Sequence, residues 1–382
     1  MTNAIENFQQ VYERRHEYAK EWKERTGGKV VGYFCTYVPE EILYAGGILP
    51  VRILGGHEPP NLATPHLFDM WCPFCRDCLS QGLAGRYDYL DGIMIAQSCL
   101  HARQAFSSWQ LHIPVSWDYF LCMPNAVRSP HAKPFLTGEL VEFKSSVERW
   151  IGREITDEDL DRAIEVYNTN RRLMKQVYEF RKAENPPILG EEAMTMVVAS
   201  QFMDKREHNE LLERLLQELP SRPLDREPGV RLLITGSEND DRPFMKMVEG
   251  SGATFVIEDH CTGSRYFWNE VVPGGDRLAS IAARYCDRIP CPSKDWGPTD
   301  PSRVRFSHIL NLAREYKVEG AILIQQKFCD PHECDIPSLR RYLEENGIPV
   351  YFLELDVTVP IGQFATRVQA FIEQIRAEEL FV

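Results

Sequence analysis

Residues 71–80 read WCPFCRDCLS and set Cys72, Cys75 and Cys78 with two residues between neighbours. Thiols crowded in this way close a disulfide, ligate zinc or an iron–sulfur cluster, or form a dithiol redox pair. The chain carries 11 cysteines, an odd number. That points away from a disulfide framework and toward metal binding or catalysis. The CPFC tetrad has redox spacing, but no thioredoxin-sized unit surrounds it. The run begins like a bacterial ferredoxin motif, yet Gly82 stands where the fourth cysteine is due. Zinc would need a second pair or spaced histidines, which CDPHEC (329–334) could lend.

Two further thiols share a setting. Cys99 closes the apolar run DGIMIAQSC (91–99), and Cys329 closes GAILIQQKFC (320–329). Both runs read as buried parallel strands. In open α/β sheets, ligands sit outside the carboxyl ends of the strands. Cys99 and Cys329 are therefore expected to face each other across a cleft, with a third thiolate supplied from 71–78. Three converging thiolates suit an iron–sulfur cluster with one open iron position, much as catalytic zinc keeps one site open. Taken singly, a cysteine at a strand end can equally be a small buried hydrophobe. Cys35 and Cys122 are read that way, and Cys286 and Cys291, flanking DRIP, as structural.

The elements that must position these thiols recur in two halves. The first half runs KVVGYFCT (29–36), a helix from VPEEILYAGG, ILPVRIL (48–54), DGIMIAQSC and IPVSWDYFLC (113–122). Pro39 suits a first helical turn, Glu40 and Glu41 the positive end of the helix dipole, and Gly46 and Gly47 its close. The second half repeats the order with GVRLLITGSE (229–238), a short helix, ATFVIED (253–259), GAILIQQKFC and IPVYFLELD (348–356). Between them, Thr156 caps a long helix on which Leu160, Ile164, Tyr167, Met174 and Val177 keep helical spacing. The fold expected is α/β, with two doubly wound Rossmann-like domains and parallel sheets. The division expected is an N-terminal helix over 1–28, a first domain over 29–145, a helical region and linker over 146–228, and a second domain over 229–382.

Composition narrows the partners. With 43 basic and 56 acidic residues the net charge is −13, which argues against nucleic acid or an anionic membrane surface. No run of about 18 apolar residues occurs, and the N-terminus lacks a signal peptide's apolar core. A cytoplasmic location is expected. There is no phosphate-cradling G-x-x-x-x-G-K-[ST] and no G-x-G-x-x-G after a strand. ATP is thus expected to act only through a partner subunit.

The stretches VVGYFCTYVPEEILYAGGILPVRILGG, AQSC, SQFMDKREHNELL and QQKFCDPHECDIPSLRRYLEENGIPV, with the Cys72 run, resemble the benzoyl-CoA reductase / 2-hydroxyacyl-CoA dehydratase family over nearly the whole chain. CPFCRD, SENDD and RYFWN are most similar to its cluster-binding C subunit of ATP-dependent benzoyl-CoA reductase. The resemblance implies that Cys72, Cys99 and Cys329 hold a [4Fe–4S] cluster between two Rossmann-like domains. It implies a sister subunit of similar fold, a separate ATPase that activates electrons, ferredoxin as their source, and an aryl-CoA thioester as substrate. The reaction implied is stepwise one-electron reduction of the aromatic ring to a cyclohexadienoyl-CoA. Alternatives within the family are a 2-hydroxyacyl-CoA dehydratase, which recycles its electron, and a reductase with a double-cubane cluster. The extra Cys75, Cys78 and Cys334 depart from the dehydratase pattern and keep the double cubane open, with Cys75 as a further ligand. His101, two residues after Cys99, is a candidate proton donor or ligand-orienting group. Glu40 or Glu41 could touch the cleft, or simply complement the helix dipole.

Overall fold

The protein is described by a computed structural model covering residues 3–222, 224, 226–294, 303–357 and 359–379. Two helices open the chain, α1 (Ala4–Glu13) and α2 (Arg15–Thr26). The sequence reads as one helix here. Arg14 leaves helical geometry at φ −105°, ψ 26° and breaks it in two. The first half continues with β1 (Lys29–Tyr33), α3 (Glu40–Ala45), β2 (Ile48–Arg52), α4 (Pro73–Leu83), β3 (Gly92–Ala96), α5 (Leu100–His112) and β4 (Trp117–Leu121). A helical middle follows, with α6 (Ala132–Ile151), α7 (Asp157–Glu179), α8 (Gly190–Ser200) and α9 (Lys205–Glu218). The second half holds β5 (Val230–Gly236), α10 (Arg242–Gly250), β6 (Ala253–Asp259), α11 (Ser264–Phe267), α12 (Arg277–Asp287), α13 (Val304–Glu315), β7 (Gly320–Gln326), α14 (Asp330–Glu345), β8 (Val350–Leu355) and α15 (Ile361–Glu379).

The strands form two four-stranded parallel sheets, ordered β2-β1-β3-β4 and β6-β5-β7-β8. The same order twice matches the repeated pattern in the sequence. Each sheet has helices on both faces, so β3 is buried along its whole length, as are β5, β6 and β7. Successive side chains point to opposite faces. Ile93 and Ile95 enter one core, which also holds Leu232, Ile234 and Ile322 of the second sheet, while Met94 and Ala96 enter another. One apolar core therefore spans both sheets.

The expected division of the chain is crossed in two places. Position 145 lies inside α6. The excursion between β6 and β7 leaves the second sheet and packs Ile281, Ala282 and Tyr285 of α12 into the core of the first. Tyr285 donates to the Val38 carbonyl at 2.7 Å, and Arg288 donates to the Thr36 carbonyl at 2.7 Å. The excursion leads to Cys291, and its path places that residue beside the first sheet. In the expected linker, Pro223 and Asp225 lie outside the described residues.

His57, after β2, ties the halves together. Its Nε2 meets Asp240 Oδ1 at 2.8 Å. Burial favours the neutral ring, but the Asp240 carboxylate outweighs it and pushes the pKa up to about 10. A raised folded pKa gives stabilisation that is fully present below about 6.5 and is lost as pH rises through the folded value. His57→Gln should therefore melt below the wild type at pH 6–7, and the gap should close as pH approaches 10. Anaerobic thermal melts across that range check this; a gap that does not change with pH contradicts it.

Candidate functional site

Three helices aim their N-termini at one place. Cys72 is the N-cap of α4, Cys99 of α5 and Cys329 of α14. The sequence places Cys99 and Cys329 at the ends of strands, and the structure moves them just beyond. β3 stops at Ala96 and β7 at Gln326, and the chain turns into a helix three residues later. The reason is the doubly wound topology, which puts each strand-to-helix turn outside the carboxyl edge of its sheet. An N-cap position is chemically useful for a thiol, because free N–H groups and the helix dipole favour the anion. Ala102 N–H points at Cys99 Sγ over 3.4 Å.

The thiols form a connected group. Cys72 interacts with Cys329 and Cys75, and Cys75 with Cys99. The bond from Cys329, then that from Cys75, holds the Cys72 thiol well below the ordinary range. The bond from Cys75 brings Cys99 down to about 7. None of the four is in a disulfide.

These four cysteines line one cavity, and Cys35, Cys261 and Cys291 line it too. Cys35 follows the end of β1 by two residues and Cys261 the end of β6 by two. The cavity therefore draws on both sheets. Phe34, Phe74 and Ala102 supply apolar wall, while Arg52, Glu238, Gln326 and His332 are its larger polar groups. Cys35 is buried, as its sequence reading has it, and both it and Cys291 also stand in the cavity lining, as does Cys261, which carries no signal in the sequence. Cys122 and Cys286 are outside the cavity lining. Cys122 is half-buried beside Glu139, not fully buried. Cys78 is buried behind the site, its Sγ 3.7 Å from the Ile53 carbonyl, and Cys334 is exposed.

His101 stands behind the cysteines. Its Nδ1 accepts from Cys72 N–H at 2.9 Å, and its Nε2 faces Asp330 at 3.4 Å. That bond requires the proton on Nε2, toward Asp330. The ring does not line the cavity, so it orients the Cys72 and Cys329 turns relative to each other. Glu40 is also away from the cavity. It is 2% exposed and accepts from Tyr266 at 2.8 Å and Tyr33 at 3.2 Å. Glu41 pairs with Arg171 at 2.5 Å. Both carboxylates join halves of the fold.

The donor set bears on what the cavity can hold. Sulfur dominates it, with no carboxylate pair and one imidazole, His332. Among the described residues, no group of three or more His, Cys, Asp or Glu side chains is placed to hold a metal ion. Free thiols on separate helix ends, two of them acidified, fit a polynuclear iron–sulfur group, whose irons are bridged by its own sulfide. No helix of the described residues is long and apolar enough to cross a membrane.

The family model for 2-hydroxyglutaryl-CoA dehydratase, D-component, matches residues 35–375. The chain belongs to that family. It is 29% identical to the (R)-phenyllactyl-CoA dehydratase beta subunit of Clostridium sporogenes, over 97% of this chain and 98% of that one. It is 28% identical to the C subunit of benzoyl-CoA reductase from Thauera aromatica, over 87% of this chain and 86% of that one. The (R)-2-hydroxyglutaryl-CoA dehydratase beta subunit of Acidaminococcus fermentans is 27% identical, over 97% and 98%. These relatives thus include dehydratase and reductase subunits at nearly equal identity to this chain.

Proposed function

We propose that this chain is an iron–sulfur subunit of a heteromeric enzyme acting on CoA thioesters, specifically an ATP-dependent benzoyl-CoA reductase. The observation that carries the cluster is the meeting of Cys72, Cys99 and Cys329 at three helix N-termini beside one thiol-lined cavity. Cys75, in the same lining, would be a further ligand. When bound, the cluster would supply single electrons at low potential. The chain's own residues would then do the rest. Phe34 and Phe74 keep water from the cavity. His101 and Asp330 fix the turns that carry Cys72 and Cys329. Glu238 Oε1 is buried without a partner, and burial, with the Asp240 charge, pushes its carboxyl well above the usual range. Its place in the cavity lining makes it the carboxyl group nearest the proposed chemistry. The sister subunit, ATPase and ferredoxin complete this reading.

A second reading is favoured by Cys35, Cys261 and Cys291. These three thiols lie in the same cavity but outside the first group, which supplies the extra ligands that a double-cubane cluster needs. Product analysis tests the main reading. The complex, reconstituted with ATP and a low-potential donor, should convert benzoyl-CoA to a dienoyl-CoA in an oxygen-sensitive reaction. Turnover of a 2-hydroxyacyl-CoA to the enoyl-CoA instead makes the chain a dehydratase subunit. Turnover of neither, with about twice the iron of a single cubane, favours the double-cubane reductase.

A further inference from the structure

Arg52 is the one guanidinium in the cavity lining, and it is uncompensated. It is the last residue of β2 and is 2% exposed. Its backbone N–H donates to the Gln201 carbonyl at 2.9 Å, but Nε and Nη1 of its side chain are buried with no hydrogen-bond partner. Other buried arginines donate side-chain N–H groups either to a carboxylate or, as Arg284 and Arg288 do, to backbone carbonyls. Arg171 pairs with Glu41, Arg181 with Glu258 and Arg265 with Asp259. No carboxylate of the described residues forms an ion pair with Arg52. Glu238 shares the cavity but makes no ion pair with Arg52, and burial, then the Asp240 charge, raises its pKa. Tyr33 and Phe74 rings lie 5.8 and 6.0 Å from the guanidinium carbon and keep it in place. A buried, fixed cation with free donors is costly unless an anion fills the space it faces.

We propose that Arg52 is the built-in countercharge of the iron–sulfur group, donating its free N–H groups to sulfur and making one-electron reduction easier. This rests on the cluster reading above. A thiolate-held cluster is anionic, and reduction adds one more negative charge in a medium that screens little. The electron comes from a one-electron donor protein and stays on the cluster. No proton moves, because a guanidinium does not titrate in proteins. A cation beside the cluster therefore raises its potential.

The test compares the full chain, purified anaerobically, as wild type, Arg52→Met and Arg52→Lys. Iron and acid-labile sulfide are measured first. Wild type without both overturns the cluster reading itself. With the cluster present, a redox titration followed by electron paramagnetic resonance reads the proposal. In Arg52→Met the ratio of reduced to oxidised cluster at the wild-type midpoint should fall at least about tenfold, which is about 59 mV for one electron. Arg52→Lys should recover part of the shift. A folded Arg52→Met that cannot retain iron, while Arg52→Lys can, also supports the countercharge. Full iron in Arg52→Met with an unchanged midpoint overturns it, as does equal loss of iron in both variants.

Discussion

Serine at Cys72, Cys99 or Cys329 should remove most of the iron from the anaerobically purified chain and bleach its visible absorption. Each of these residues is the N-cap of a helix, where the dipole favours a bound anionic group, and at Cys99 an N–H also points at the sulfur. A serine hydroxyl stays neutral under the same conditions and is a poor ligand for a soft cluster iron. Loss of a group that merely orients a ligand costs about 10–100-fold in metal affinity, so His101→Ala should give a loss of that order and the three ligand variants more. Serine at Cys122 or Cys286, outside the cavity lining, should leave iron content unchanged. Serine at Cys35, Cys261 or Cys291 separates the cofactors. A fall to about half the wild-type iron marks a second cubane, and no change marks a single one. Unchanged iron in all three of the first variants would sink the ligand assignment.

The sheets were legible because parallel strands covered on both faces read as continuous apolar runs. ATFVIED predicts 253–259, and β6 spans Ala253–Asp259. The convergence of Cys99 and Cys329 followed from the same runs plus the rule that ligands gather at carboxyl ends. The rule reaches further than those two runs. Cys35 closes the run KVVGYFC and reads there as a small buried side chain, while Cys261 follows ATFVIED by two residues and looks ordinary in the sequence. Cys291 had no local signal at all. It reaches the cavity because α12 leaves its own sheet and packs on the other, a tertiary choice that periodicity does not encode. Glu40 and Glu41 stand in the first turn of α3, as the dipole reading has it, but their burial was not legible. Acidic residues in a first helical turn suit the dipole wherever they are, and only the position of Tyr266, Tyr285 and Arg171 shows them to be buried between the halves. The buried Arg52 was hidden for the same reason, inside a run that reads as plain strand.

Replacing Asp259 by asparagine should cost about 3–5 kcal/mol, the usual result of stranding a buried partner charge. Asp259 is fully buried at the end of β6. Its carboxylate accepts from Arg265 at 2.7 and 3.1 Å and faces Arg305 at 3.4 Å. Arg305 also bonds Asp335 of α14, the helix that Cys329 caps. Arg288, near Cys291, donates to the Arg265 carbonyl at 2.6 Å. Cys261 follows Asp259 by two residues. One carboxylate thus underlies the three segments that bring Cys261, Cys291 and Cys329 to the cavity. The two guanidiniums hold its pKa far below the usual carboxylate range. A depressed pKa means stability that is present above the unfolded value, near 3.9, and is lost only as pH falls below it. The gap between wild type and Asp259→Asn should therefore be level from pH 7 to about 4.5. A drop of roughly 10 °C in melting temperature is expected at neutral pH. Because the same carboxylate holds the turns that carry the thiols, the variant should also surrender iron to a chelator faster than the wild type at temperatures where both are folded. Normal iron retention with a lowered melting temperature would confine Asp259 to the fold; a melting temperature within a degree or two of wild type would refute the stranded-charge argument altogether.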